Sequence, residues 1–147
     1  MSPDRQAYER GRAEGVQAYC LPRNGYALGE AGTTYTRVCP AQLEERFLDQ
    51  YTYGGRVRDA RQLVVNTSSR IFAIDKRLEE INKKVKRRIT AIVAENQPPE
   101  QDAKTLNSAV DLAQESEALA AERAELKARL PEYEADLDRL LRERDDR

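Results

Sequence analysis

The sequence predicts an all-α protein, in which a small disulfide-tied helical head is followed by a long antiparallel coiled-coil helical hairpin. Two observations predict this fold class. Charged residues make up 35% of the 147 residues and hydrophobic residues 39%, with no Trp and two Phe. That composition suits amphipathic helices with a narrow apolar stripe rather than a thick globular core. Residues 8–40 hold five of the seven glycines and both cysteines, whereas no glycine follows Gly55.

The hairpin is predicted from the spacing of apolar residues after residue 56. In residues 56–95 they recur in alternating steps of three and four, which is the a/d pattern of a coiled-coil seam. The pattern stops at Pro98-Pro99, because consecutive prolines cannot continue a helix, and it then resumes. We therefore predict helices at about 56–95 and 102–144, joined by a turn at 96–101. The predicted seam includes Val64, Ile71, Ile74, Leu78, Ile81, Val85, Leu112, Leu119, Leu126, Leu130 and Leu137.

The distribution of charge favours the same antiparallel pairing. Residues 56–95 carry eleven Lys/Arg against five Asp/Glu, whereas residues 96–147 carry eight against fourteen. Folding about the turn is expected to bring the basic cluster at 83–88 close to Asp111, Glu115 and Glu117, and opposite potentials select the partner and its orientation. The alternative is a nucleic-acid or anionic-lipid patch. The acidic helix in the same chain, the net charge of -1 and the lack of stacking aromatics favour no nucleic acid.

One residue conflicts with a regular second helix. Pro131 falls inside it and is predicted to kink or interrupt it. In the fold-back register this proline lies opposite the polar stretch 66–69. The sequence therefore suggests a shared bend at this level of the hairpin.

The head is predicted to contain short helices at 4–19, 26–32 and 41–55, the last continuing into the long helix through Gly54-Gly55. Residues 22–25, Pro-Arg-Asn-Gly, have the composition of a turn. A Tyr-x-x-Gly spacing recurs three times, and residues three apart share one face of a helix. Gly in a helix costs about 1 kcal/mol relative to Ala. We therefore predict that each glycine admits a tyrosine ring or a neighbouring backbone at close range. The motif comprises Tyr8, Gly11, Gly15, Tyr26, Gly29, Gly32, Tyr35, Tyr51 and Gly54. Residues 1–55 and 56–147 are predicted as the two domains.

Cys20 and Cys39 are the only cysteines, and three kinds of chemistry could use them. A zinc site needs about four Cys or His ligands, and the chain has no His. A thioredoxin-like pair needs the C-x-x-C spacing, which is absent. A disulfide would contribute about 3 kcal/mol by the chain-entropy estimate, and small modules with a poor core commonly need one. We predict the disulfide and hence an oxidising compartment, most simply the periplasm; the alternative is two free thiols in the cytosol.

The sequence predicts neither an enzyme nor a metal or cofactor site. The hydroxyls of Ser2, Thr33 and Thr34 lack a recognisable general base, and Glu44-Glu45 are explained by the first turn of a helix. The G-x-x-x-G and G-x-x-G spacings follow no buried strand and precede no Gly-Lys-Ser/Thr, so a phosphate loop is disfavoured. The N-terminus is polar and unlike a signal peptide. No segment approaches the roughly 20 apolar residues that a bilayer span needs.

The first third of the chain resembles the bacterial family catalogued as domain of unknown function 2799. Y-C-x-P-x-N-G and V-C-P occur here in the order typical of that family. The matching residues are Tyr8, Gly11, Gly15, Tyr19-Cys20, Pro22, Asn24-Gly25, Gly29, Gly32, Tyr35, Val38-Cys39-Pro40, Phe47, Tyr51 and Gly54. Members are typically predicted lipoproteins of Gram-negative bacteria. The resemblance implies a periplasmic, membrane-tethered protein with a Cys20–Cys39 disulfide. The sequence departs from the family in lacking a lipoprotein leader, so any outer-membrane lipid anchor is expected upstream of it.

From the hairpin and the lack of a chemical site we expect a non-enzymatic cell-envelope protein. It would act as a structural spacer or a protein–protein adaptor, through the hairpin and with an envelope protein as partner. The alternative function is a glycan- or peptide-binding module that uses exposed tyrosines of the head. Because a/d stripes can also pair between chains, a homo-oligomer is a further expectation.

Overall fold

The computed structural model describes residues 3–94 and 98–147, and within these ranges the chain is all-α, with four helices and no strand. The helices are α1 (Pro3–Tyr19), α2 (Pro22–Ala31), α3 (Ala41–Val93) and α4 (Pro99–Asp145). A disulfide joins Cys20 to Cys39. The predicted fold class, with a disulfide-tied helical head and a helical hairpin of α3 and α4, is therefore confirmed.

Helix α2 begins four residues earlier than the predicted 26–32, because residues 22–25 form its first turn and not a separate turn. Leu21 is the extended N-cap residue and Pro22 occupies the first helical position, where its fixed φ suits a helix and its missing N–H costs nothing. The Gly25 N–H donates to the Leu21 carbonyl at 3.1 Å. The helix ends at Gly32, whose φ of 72° is left-handed, and the Thr33 N–H returns to the Leu28 carbonyl.

Helix α3 runs without a break through Gly54-Gly55, as predicted. It begins directly after Pro40, whose carbonyl accepts the N–H groups of Leu43 and Glu44 at 2.9 Å each. Glu44 lies in the first turn, where a carboxylate is favoured by the partial positive charge of the helix N-terminus. One continuous helix therefore carries residues of the head and of the hairpin.

Helix α4 differs from its prediction at two places. It begins at Pro99, so that residues 99–101 of the predicted turn are helical, while residues 96 and 97 of that turn, and residue 95 of the preceding predicted helix, lie outside the described residues. The helix also continues through Pro131, so the predicted interruption there is wrong, while a kink at Pro131 stays a prediction. A proline removes one backbone hydrogen bond at a cost of about 3 kcal/mol. The packed turns on both sides of it maintain the helix.

The described chain forms two compact units. The first takes in the residues up to Leu63 together with Asp136–Arg147, and the second consists of Val64–Ala135. The first unit contains two apolar clusters, one around the disulfide and Phe47 and one around Tyr53, Val57 and Leu140. The division into domains at residues 55 and 56 stays a prediction.

In the second unit the segments of α3 and α4 run antiparallel. Arg70 of α3 pairs with Glu122 of α4, and Arg77 of α3 pairs with Glu115 of α4. Residues later in α3 therefore pair with residues earlier in α4, as in an antiparallel arrangement. Every residue of the predicted seam is buried or half-buried, in both units. Among them Ile71, Ile74 and Ile81 are the most buried. Supercoiling of the two helices stays a prediction.

Candidate functional site

An aromatic cluster surrounds the disulfide in the first unit, and it consists of Tyr19, Tyr35, Phe47 and Tyr51. Phe47 is fully buried at its centre. Its ring centroid lies 4.8 Å from that of Tyr35 and 5.7 Å from that of Tyr19. Tyr51 follows Phe47 by one helical turn on the same face of α3, with the centroids 6.5 Å apart. Cys20 and Cys39 pack directly against Phe47, so the disulfide is part of this core.

The hydroxyl groups of Tyr35 and Tyr51 in the aromatic cluster form hydrogen bonds inside the protein. The Tyr35 hydroxyl donates to Glu44 Oε1 and accepts the Cys39 N–H, both at 3.1 Å. The Tyr51 hydroxyl donates to the Thr33 carbonyl at 2.8 Å. Burial raises the pKa of Tyr35, the Cys39 N–H opposes that effect, and Glu44 adds to it. Tyr35 therefore stays protonated at neutral pH and serves as a structural link between the α2–α3 loop and α3.

The glycines of the predicted motif have two different environments. A Cβ at Gly29 would overlap the Tyr51 carbonyl oxygen, and a Cβ at Gly54 would overlap the Tyr26 carbonyl oxygen, so α2 and α3 approach backbone to backbone. Nothing lies within 4 Å of a Cβ at Gly11 or Gly15. The prediction of close packing does not hold for those two glycines, because α1 has no buried residue and only its last turn contributes to the core.

The remaining motif residues are spread over the first unit. Tyr8 is 68% exposed on α1, and Gly32 ends α2. Tyr26 is half-buried, with its ring 6.3 Å from that of Tyr53. The sequence analysis did not predict close packing at Gly25, where an added Cβ would overlap the Phe47 carbonyl oxygen. The sequence could have indicated this contact, because Gly25 and Gly29 are four residues apart and therefore lie on one face of α2.

The end of α4 completes the core of the first unit, a contact that the sequence analysis also missed. The buried Tyr53 hydroxyl donates to the Leu140 carbonyl at 2.6 Å. The Arg147 guanidinium lies 4.3 Å from the centre of the Tyr53 ring, within cation–π range. Arg144 lies 5.8 Å from the centre of the Tyr26 ring. The available signal was Tyr53 itself, a large aromatic residue two positions after Tyr51 and therefore on a different side of α3.

Two of the residues considered for catalysis take part in hydrogen bonds of the described structure. The Thr33 carbonyl accepts the Tyr51 hydroxyl, and Glu44 accepts the Tyr35 hydroxyl; Ser2 lies outside the described residues. Within residues 3–94 and 98–147, no group of three or more His, Cys, Asp or Glu is placed to hold a metal ion. A groove of about 950 Å³ in the first unit is lined largely by charged and polar side chains, among them Glu45, Arg46 and Asp49. None of the described helices is long and apolar enough to cross a membrane.

Two bidentate ion pairs join the helices of the second unit. Arg77 donates to the two carboxylate oxygens of Glu115 at 2.7 and 2.9 Å, and Arg70 donates to those of Glu122 at 2.7 and 2.8 Å. The predicted proximity of the basic cluster at 83–88 to Glu115 holds for Lys84, whose charge adds to the hydrogen bonds from Arg77 in lowering the pKa of Glu115. Arg88 donates to the Ser108 carbonyl at 3.0 Å, while the direct partner of Glu115 is Arg77. Such exposed pairs add little stability and mainly fix the register.

Acid is expected to weaken these ion pairs. The hydrogen bonds from Arg77 hold the pKa of Glu115 below its ordinary value of 4.5, and those from Arg70 do the same for Glu122. A carboxyl group whose pKa is lower in the folded state contributes stability above its unfolded pKa and loses it as the pH falls through the folded pKa. We therefore expect the second unit to lose stability as the pH drops below about 4.5.

Carboxyl chemical shifts measured by NMR as a function of pH test this expectation for each pair. Arg77→Gln should raise the pKa of Glu115 and leave Glu122 unchanged. Arg70→Gln should do the reverse, so each variant is the control for the other. A Glu115 titration that Arg77→Gln does not move would contradict the assignment.

The ion pairs also define the two sides of the second unit. Arg70 and Arg77 each come one position before a seam residue of α3, and Glu115 and Glu122 each come one position before a residue of the same spacing in α4. Positions that precede the seam in both helices therefore share one side. Positions that follow it share the opposite side, because successive helical residues are rotated by about 100°.

The exposed large hydrophobic residues of the second unit all lie on that opposite side. Each comes one position after a buried or half-buried residue of the seam spacing. Phe72 is 61% exposed and Val93 is 73% exposed. The sequence analysis missed this feature, although the spacing of Val65, Phe72, Ile89 and Val93 relative to the seam was visible. We name this surface the apolar face, and its residues are Val65, Phe72, Ile89, Val93, Leu106 and Val110.

Comparison with known families concerns the head of the protein. Residues 1–56 match the family described as Protein of unknown function (DUF2799). The resemblance noted from the sequence is thus confirmed for this segment. The DUF2799 segment contains α1, α2 and the first part of α3, with the disulfide, the aromatic cluster and the close contact of Gly29 with α3.

The match to DUF2799 ends before the second unit begins. The apolar face and both bidentate ion pairs therefore lie outside the matched segment. Residues 136–147, which complete the core beside Tyr53, also lie outside it. The chain matches no curated protein and no solved structure.

Proposed function

We propose that the protein is a non-enzymatic protein–protein adaptor of the bacterial cell envelope, which binds its partner through the helical hairpin. The observation that carries this proposal is the apolar face. Large apolar residues that are exposed together on one side of a helical unit indicate an interaction site. Six large hydrophobic residues that are exposed in the described second unit lie on one side of it, and the opposite side carries the two bidentate ion pairs. A third pair, between Arg123 and Asp75, lies on the side of the apolar face.

The small residues around the apolar face support a protein partner. In α4 the positions that follow the seam include Ala113, Ala120 and Ala124 together with the charged Glu117 and Lys127, whereas those that precede it include Asp111, Glu115, Glu122 and the small Ala118. A helix can approach an alanine-rich surface closely, and large apolar residues beside it supply most of the buried area. The face is therefore suited to a helical protein segment.

The contacts in the head support a structural role for the DUF2799 segment. The hydroxyls of Tyr35, Tyr51 and Tyr53 donate to groups of the same chain. These contacts weigh against a role of Tyr35, Tyr51 and Tyr53 in the alternative proposal, a glycan- or peptide-binding module, which would then depend on Tyr8, the tyrosine that is 68% exposed. We assign the head a structural role, which accords with a spacer as well as an adaptor.

The disulfide supports a periplasmic location. Disulfides persist in oxidising compartments and are rare in the cytosol, and Cys20 and Cys39 are joined in this chain. The likeness of the head to predicted lipoproteins leads us to propose a lipid tether upstream of these residues. The partner would then be another protein of the envelope.

Crosslinking in living cells with paired charge variants tests the adaptor function. Phe72→Glu with Val110→Glu places carboxylates on the apolar face. We expect this pair of changes to abolish the crosslinked species that the unchanged chain forms, because burying an unpaired carboxylate in an apolar contact is costly. Crosslinked products are identified by mass spectrometry.

The matched control is Ala73→Glu with Ala118→Glu. These residues are exposed and lie one position before the seam, on the opposite side of the second unit. The control should keep the crosslinked species. Crosslinks that survive both pairs of changes, or that disappear equally with both, would contradict a function through the apolar face.

A further inference from the structure

A cleft in the first unit lies between the last turn of α1 and the first turns of α3. Its volume is about 570 Å³, and ligand-binding cavities typically measure about 300–1,000 Å³. Cys20 lines the cleft, and its disulfide to Cys39 ties the end of α1 to the start of α3, so the two walls are covalently joined. The cleft lies within the DUF2799 segment, and no tyrosine is among the described residues that line it.

Three polar side chains of the cleft are available to a ligand. Gln17 belongs to α1, whereas Gln42 and Arg46 lie four residues apart on one face of α3. Within the described part of the chain, these three side chains have no hydrogen-bond or ion-pair partner. Leu21, which is 39% exposed, and Pro22 supply apolar contacts beside them. A few convergent polar groups beside apolar ones are the usual composition of a small binding site.

The spacing of the polar groups along α3 points to an extended peptide. Gln42, Arg46 and Gln50 follow at intervals of four residues, which is about 6 Å along a helix. Gln50 lines a second groove, which adjoins the cleft at Arg46 and Pro22. In an extended peptide, equivalent backbone groups recur every two residues, or about 6.6 Å. A Gln amide can donate to a peptide carbonyl and accept from a peptide N–H, so this row of side chains matches the repeat of a peptide backbone.

The charge of the cleft indicates which peptide it would bind. Arg46 is the one charged residue among the described residues that line the cleft, and a guanidinium binds a carboxylate through two parallel hydrogen bonds. The adjoining groove carries Glu45 and Asp49, so an acidic residue of the peptide belongs in the cleft and not beyond it. A peptide can continue past Arg46 into that groove, which favours an acidic side chain over a chain terminus.

We propose that the head binds an extended peptide segment in this cleft. An Asp or Glu of the peptide pairs with Arg46, while the peptide backbone bonds to Gln17 and Gln42. This site is separate from the apolar face, so the proposal does not rest on the adaptor function of the hairpin and adds a binding role to the head. A glycan fits less well, because the cleft offers no aromatic ring, among its described residues, on which a sugar ring could stack.

The first test uses two pools of pentapeptides that are acetylated and amidated at their ends. One pool has Glu at the central position, the other has Gln there, and the remaining positions are mixed in both. Each pool is added to the full chain labelled with nitrogen-15. We expect the Glu pool to shift the NMR signals of the Gln17 and Gln42 side-chain amides and of Arg46 Nε–H, and the Gln pool to shift them much less. Equal shifts with both pools, or no shift at millimolar peptide, would overturn the proposal.

The second test changes the arginine. Arg46→Gln should weaken binding of the Glu pool by about tenfold, because the charge-assisted pair is lost, and should remove the preference for that pool over the Gln pool. Arg10→Gln is the matched control, since Arg10 is an exposed arginine of α1 that does not line the cleft. An unchanged near-ultraviolet unfolding transition shows that each variant is folded. Equal weakening by both changes, or a preference that survives Arg46→Gln, would contradict the site.

A glycan ligand would give a different result in the same experiment. Chitotetraose carries amide groups but no carboxylate. If it shifts the signals of Gln17 and Gln42 while the Glu pool does not, the peptide proposal is overturned in favour of a sugar. Phe72→Glu with Val110→Glu should leave the binding of the Glu pool unchanged, because these residues lie in the second unit. Loss of peptide binding in that variant would also overturn the assignment to the cleft.

Discussion

Replacing both Cys20 and Cys39 with alanine is expected to lower the free energy of unfolding of the first unit by about 3 kcal/mol. The two cysteines are separated by 19 positions in the sequence, and the cross-link restricts the unfolded chain over that interval. The loss is a large fraction of the 5–15 kcal/mol that is typical of a domain. The disulfide also packs against Phe47 in the aromatic cluster, so the replacement adds a small packing loss.

Near-ultraviolet circular dichroism can follow this change, because six of the seven tyrosines belong to the first unit. Thermal unfolding monitored at the tyrosine band should shift to a lower temperature in the double variant. The unchanged protein should show the same shift when a reductant is added, whereas the variant should not respond to it. A variant with an unchanged transition would mean that the disulfide does not restrict the unfolded state of the head.

The sequence was most informative where a periodic pattern repeats many times. The alternating steps of three and four predicted the two long helices and their seam, and each predicted seam residue is buried or half-buried. A pattern of this length averages over single unfavourable residues. Pro131 illustrates the point, because its local cost does not outweigh the packed turns around it, and α4 continues through it.

The sequence was less informative where a short motif permits two structures. Pro22-Arg23-Asn24-Gly25 has the composition of a turn, but it is also a favourable helix start, with proline at the first helical position. Which structure forms depends on α3, because Gly25 packs on the Phe47 carbonyl only when α2 begins at Pro22. That contact is between residues far apart in the chain, and local composition does not contain it.

The same limit explains what was missed in the candidate sites. Tyr53 and Leu140 are 87 positions apart, and their hydrogen bond exists only because the end of α4 returns to the first unit. The apolar face could be recognised only from the ion pairs of the structure. These pairs show which side of α3 and which side of α4 face the same way. Each of these residues could be recognised in the sequence as an apolar residue outside the seam. Whether they share one surface depends on how α3 pairs with α4.

Replacing Gly29 with alanine is expected to destabilise the first unit by about 3 kcal/mol or more, the upper end of what overpacking a close contact costs. The added Cβ would overlap the Tyr51 carbonyl oxygen and also press on the Gly55 backbone nitrogen. Both obstacles are backbone atoms of a long helix, so no side-chain rotation can relieve them. Helix α2 would have to move away from α3, which would also separate Gly54 from Tyr26.

Gly11→Ala is the matched control, because Gly11 is also a helical glycine of a Tyr-x-x-Gly unit but has open space around it. Alanine there should cost nothing and should gain up to about 1 kcal/mol of helix stability in α1. We expect the change in stability to have opposite signs at the two positions when both are measured by the same near-ultraviolet transition. That result would distinguish a glycine that permits backbone contact, Gly29, from one that does not, Gly11. If Gly29→Ala left the transition unchanged, the close approach of α2 and α3 would be contradicted.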